Sequence, residues 1–209
     1  MPEKRLWKKC DELNWPFYLA SSDSCFYHEE FFEGKYNCST GNQFVSNFKK
    51  DISKKGTPEW YHKQKAISDF ADLLAHTKFP KGTGLIAAPT SKPRSSLIFD
   101  SRIDDVLQKY HAKNADVQIS FCLDAVYEEI ANHLSKGKSR NPDVIIKNMR
   151  LLPTWFSETI HQVFVIDDVI TTGGHFVAAK RLINERYPEI VVNGLFLALR
   201  IHSPPPEIV

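Results

Sequence analysis

Asp167 and Asp168 stand side by side after four apolar residues, Val163 to Ile166, and Val169-Ile170, Thr171-Thr172 and Gly173-Gly174 come directly after them. Adjacent carboxylates can accept hydrogen bonds from two vicinal sugar hydroxyls, directly or through a hydrated Mg²⁺. Threonine hydroxyls add donors. Paired glycines let a backbone approach a phosphate closely, and a helix starting there would present unpaired N–H groups and the positive end of its dipole. The segment Val163 to Phe176 therefore has the chemistry of a sugar-phosphate cradle, provided that a strand delivers the acids and a helix begins at the glycines. The bland alternative is a polar strand-to-helix turn.

The surrounding pattern supplies such elements. Ile67, Phe70, Ala71 and Leu74 recur at helical spacing and predict a helix over about residues 61–77. Leu85 to Ala88 predicts a buried strand, Ile103, Val106, Leu107 and Tyr110 a second amphipathic helix, and Val117 to Cys122 another strand. Leu123, Val126, Tyr127, Ile130 and Leu134 predict a further helix ahead of the basic stretch SKGKSRNPD, which reads as an exposed loop. Val163 to Ile166 is then a buried strand, succeeded by a turn, a helix to about Tyr187 and a closing strand within Ile190 to Ile201. Strands alternating with helices predict an α/β fold with a mainly parallel twisted sheet flanked by helices, and open sheets of this class bind ligands beyond the carboxyl ends of their strands.

Residues 1–60 differ in texture: eleven of the 25 aromatics precede residue 50. They predict a small aromatic-rich attachment on a core of residues 61–209. Trp7, Trp15, Phe26, Tyr27, Phe31, Phe32 and Tyr36 suit stacking on a base or packing against a partner, and suit equally well the completion of a core. Cys10, Cys25, His28 and Cys38 are zinc-ligand types at loose spacing; no CxxC pair occurs, and reduced thiols are the competing reading. The net charge of +2 does not by itself indicate nucleic-acid binding. No long apolar run and no signal-peptide pattern is present, so the expected compartment is the cytoplasm, without a membrane span.

The run of four apolar residues, two acids, two further residues and Thr-Thr-Gly resembles the 5-phosphoribosyl-1-pyrophosphate (PRPP) signature of the type I phosphoribosyltransferases, whose sheet is Rossmann-like. The resemblance implies that Asp167 and Asp168 hold the ribose hydroxyls, with Mg²⁺ as cofactor, and that Thr171, Thr172, Gly173, Gly174 and His175 cradle the 5-phosphate. His175 departs from the usual Thr or Ser, and Thr171 stands where 6-oxopurine salvage enzymes carry an Asp. The resemblance also places a pyrophosphate loop at Thr90, Ser91, Lys92 and Arg94, which is otherwise an ordinary Pro-bounded surface loop, and a closing catalytic loop at Lys136, Lys138 and Arg140. Pro89, Arg102, Arg140-Asn141 and Leu197 to Arg200 resemble the competence-associated ComF-like branch, although that branch's zinc ribbon is missing. Within such a family the first 60 residues would be a hood over the acceptor site, or the seat of a homodimer or protein partner. The activity implied is transfer of a phosphoribosyl group to an unidentified acceptor, with pyrophosphate released. A PRPP-sensing module without turnover, or an effector of a bacterial phage-defence system of the retron kind, are the other roles the resemblance allows.

Overall fold

The structure, a computed structural model, describes residues 6–10, 16–34, 36–127, 140–153 and 156–201. Its main sheet has six strands. In chain order β1 is Lys8–Lys9, β2 Cys25–Phe32, β3 Thr83–Ala87, β4 Gln118–Ser120, β7 Gln162–Ile170 and β8 Val191–Ile201, while β5 (Leu123–Ala125) and β6 (Met149–Leu151) form a separate antiparallel pair. The order across the main sheet is β1-β2-β8-β7-β3-β4, and only the β1–β2 pairing is antiparallel. This is an α/β architecture with a mostly parallel mixed sheet, compatible with a Rossmann-like fold.

Helices α1 (Thr40–Phe48), α2 (Trp60–Ala75) and α3 (Arg102–His111) share one apolar layer, while α5 (Gly174–Arg186) contributes Phe176, Val177, Ala178, Ala179 and Ile183 to the other. A short helix α4 (Pro142–Ile145) packs beside α5. In α2 the buried positions are Lys63, Ala66, Ile67, Phe70, Ala71 and Leu74, the stripe that the 3.6-residue period requires. All five residues of β3 are buried, as expected of a strand covered on both faces. Among the described residues no helix is long and apolar enough to cross a membrane.

From β3 the chain moves outward through α3 to β4; from β7 it moves the opposite way through α5 to β8, with β2 beyond. Neighbours β3 and β7, joined in register from Thr83 opposite Gln162 to Ala87 opposite Ile166, are therefore the point where the winding reverses, and their carboxyl ends bound the natural ligand crevice.

Two expectations need correction. The helix predicted from Leu123 does not form at its start: Leu123–Ala125 is strand β5, because Asp124 is buried and accepts from the Arg94 N–H at 2.9 Å and from Arg150 Nη2 at 2.7 Å while β6 pairs alongside. The remainder of that segment, 128–139, lies outside the described residues. The strand predicted over Val163 to Ile166 continues to Ile170, because β8 pairs with it along that whole length, so the two acids lie within the strand rather than in a turn beyond it.

The first 60 residues enter the same sheet. Strand β2 pairs in parallel with β8 from Cys25 opposite Gly194 to Phe32 opposite Ile201. Tyr27 and Phe32 are buried, and Trp7, Phe26 and Phe31 pack against the α1–α3 layer, so these rings complete the core; Tyr36 is exposed and Trp15 lies outside the described residues.

Candidate functional site

Strand β7 carries the acids into the crevice, and at its end the chain turns sharply into α5. Gly173 caps that helix with φ +80°, the left-handed region where a side chain is strained, and it lies so close to Leu19 and Pro16 that a Cβ would come 2.8 Å from Leu19 Cδ2. At Gly174 a Cβ would collide with the main-chain carbonyl of Arg140. Among the described residues no side chain caps this helix start, so its first N–H groups and positive dipole end face the turn in the manner of an anion site. Thr171 and Thr172 are partly exposed there, His175 is exposed, and the Thr172 carbonyl accepts the Tyr18 N–H at 2.8 Å. The N-terminal segment thus fixes the shape of the turn.

The acids have different environments. A strand's pleat sends adjacent side chains to opposite faces. Asp168 enters the α1–α3 face and is buried, with its Oδ1 2.9 Å from Lys49 Nζ and its Oδ2 accepting from Arg102 Nε at 3.1 Å and Nη2 at 2.7 Å. Arg102 also donates to Asp100 at 2.6 Å, and the fully buried Lys63 donates to both Asp100 oxygens and to the Lys50 carbonyl. Burial opposes ionisation of Asp168, but Arg102 and Lys49 outweigh it and hold this carboxyl below the usual carboxylate range. Asp167 lies on the other face, its Oδ1 accepting the Asp168 N–H at 2.7 Å. Burial first, and the neighbouring Asp168 charge second, push Asp167 up to about 7.

Against this geometry a divalent cation fits the acidic pair poorly. The carboxylates diverge across the sheet, both Asp168 oxygens are bonded to cationic side chains, and Lys49 and Arg102 hold positive charge where a metal would approach. Cys10, Cys25, His28 and Cys38 likewise do not gather into a metal-holding group among the described residues: His28 has Nδ1 2.7 Å from the Leu6 carbonyl and Nε2 3.6 Å from Glu29.

The loop after β3 approaches the same crevice, the Ala88 N–H donating to the Ile166 carbonyl at 3.0 Å. Thr90 turns its hydroxyl to the Lys92 carbonyl at 3.1 Å, Ser91 is exposed and Lys92 is partly buried. Arg94 is committed elsewhere. Its guanidinium grips Asp104 through two nitrogens and lies 5.2 Å from the Phe99 ring centroid and 5.3 Å from that of Phe121, so its role is to fix the loop. Arg140 is exposed with its backbone against the start of α5, and the next residue, Asn141, caps α4. Lys136 and Lys138 lie outside the described residues.

The structure places Asp167 and Thr171 to His175 on β7 and its turn into α5, the Arg140 carbonyl against Gly174, and Thr90 to Lys92 on the loop after the neighbouring strand β3. Lys49, Lys63 and Asp100 were not legible as site residues, and Arg102 was visible only through the family resemblance. A lysine at a core position of α2 was the available signal, since a buried ammonium requires an acid. No protein-family model matches the chain, and no curated protein matches its sequence.

Proposed function

We propose that this chain is a phosphoribosyltransferase of the type I kind, binding the 5-phosphoribosyl group of PRPP at the β3/β7 switch point and transferring it to an acceptor with loss of pyrophosphate. The observation that carries this reading is continuity: one strand delivers an acidic residue to the crevice and passes within a few residues into a glycine turn and an uncapped helix start. A ribose 5-phosphate carries vicinal hydroxyls and a dianion, the two ligand types that these groups recognise.

In this reading the Gly174 and neighbouring N–H groups, with the Thr171 and Thr172 hydroxyls, hold the 5-phosphate, and Asp167 accepts from a ribose hydroxyl. Arg102 and Lys49 keep Asp168 ionised and in place, so it acts as a positioning group. Thr90, Ser91 and Lys92 meet the pyrophosphate as the C1–O bond breaks and the acceptor–C1 bond forms, and Arg140 adds positive charge beside the departing group. The acceptor is a nucleobase, an amine or a group on a macromolecule.

A second reading, binding without turnover, is favoured by the commitment of Arg94 to Asp104, which leaves the loop after β3 with fewer cations for a leaving group. Incubation with PRPP and a panel of acceptors, monitored for pyrophosphate, separates the two. Acceptor-dependent release supports transfer, and calorimetric binding with no release supports the sensor. Absence of binding at millimolar PRPP refutes both.

A further inference from the structure

The acidic pair carries its own cations. Lys49 Nζ sits 2.9 Å from Asp168 Oδ1, and Arg102 covers Asp168 Oδ2 through two nitrogens. Lys49 and Arg102 face Asp168, Arg102 and Lys63 face Asp100, and Asp105 stands near Lys63. A divalent ion entering beside Asp168 would have to displace an ammonium group or lie next to two retained positive charges. Resting on the sugar-phosphate reading above, we propose that Lys49 and Arg102 stand in for a divalent cation at this pair, and that ribose 5-phosphate binds there without metal.

The two cations are not equivalent. Arg102 is wedged between Asp168 and Asp100 with its guanidinium 5.9 Å from the Phe48 ring centroid, and its side chain is only 17% exposed. Lys49 stands just after the last residue of α1 and reaches Asp168 with a side chain 44% exposed. Arg102 is therefore the fixed partner, and Lys49 the one whose removal opens an oxygen to solvent without dismantling the core. A carboxylate oxygen freed on a buried, ionised Asp168 is the type of ligand a hydrated Mg²⁺ accepts. The chain segment that builds β2 and α1 thus sets the metal requirement of a site lying in the parallel sheet.

The test uses ribose 5-phosphate, which lacks pyrophosphate and so reports on this pair and the phosphate turn without the loop after β3. The full chain is titrated calorimetrically with ribose 5-phosphate in EDTA and in Mg²⁺, as parent, Lys49→Met and Lys49→Gln, with circular dichroism as the check on folding. The parent should bind with affinities that agree to within about twofold in the two buffers, whereas both variants should gain about tenfold or more from Mg²⁺. In parallel, Mn²⁺ alone is added and monitored by electron paramagnetic resonance, where the parent should leave the ion free and the variants should bind it. A parent that tightens with Mg²⁺, or a folded variant that binds the sugar phosphate with no Mg²⁺ response, overturns the inference while leaving the sugar-phosphate reading intact. A parent that binds no ribose 5-phosphate in either buffer overturns both.

Discussion

Replacing Asp167 with Asn should make the protein more stable at alkaline pH and leave it unchanged at acidic pH. The cause is the raised proton affinity of this carboxyl in the folded chain, about 7 against an ordinary 3.8, from burial and from the adjacent Asp168 charge. Between those values the native state holds a proton that the unfolded chain releases. The associated stability is complete below the unfolded value and is lost as pH rises through the folded one. At about 1.4 kcal/mol per unit the shift sets a ceiling of roughly 4 kcal/mol, and partial exposure of Asp167 reduces the expected effect to about 1–2 kcal/mol. Asparagine cannot ionise, and its Oδ1 can still accept the Asp168 N–H, so the variant escapes this loss. Asp168 shifts the other way, with stability lost as pH falls through its lowered value, so its effect lies on the acid side of the window. Urea unfolding of parent and variant from about pH 4.5 to about pH 8.5 measures the difference. A gap between the two that does not widen with pH, or a variant less stable than the parent at the alkaline end, would refute the reasoning.

Removing the fixed cation should be costly: Arg102→Met leaves the buried Asp168 and the half-buried Asp100 against a single lysine each and should lose about 3–5 kcal/mol in urea unfolding. Adding Asp168→Asn to that variant should recover part of the loss, and a purely additive double mutant would show that the pair is not coupled. Gly174→Ala should both lower stability and weaken ribose 5-phosphate binding, because its Cβ meets the Arg140 carbonyl and forces the turn to shift; equal binding by a folded variant and parent would remove this turn from the site.

Much of the frame was legible because it is local. The α2 stripe and the apolar Leu85 to Ala87 of β3 can be read from the sequence alone, and the Asp-Asp to Gly-Gly run announces a strand, a turn and a helix start. What sequence reasoning missed was decided at long range. Helical spacing at Leu123, Val126 and Tyr127 lost to pairing with β6 and to the anchoring of Asp124 by Arg94 and Arg150, both remote in the chain. Strand β2 shows little alternation in CFYHEEFF, and it exists because β8 offers an open edge. The acids read as two equivalent acceptors for ribose hydroxyls, directly or through a hydrated Mg²⁺, when only their adjacency was visible. The extension of β7 past them places them on opposite faces, and Lys49, more than one hundred residues upstream, reaches one of them.

The central claim is that the crevice at the ends of β3 and β7 holds a 5-phosphoribosyl group. Its most direct test is a calorimetric titration of the parent chain with PRPP, repeated with Gly174→Val, in which a bulky side chain is forced against the Arg140 carbonyl. The parent should bind saturably with a dissociation constant below about 1 mM, and a variant that remains folded by circular dichroism should lose this binding. Undiminished binding by the folded variant, or no binding by the parent at millimolar PRPP, would contradict the claim.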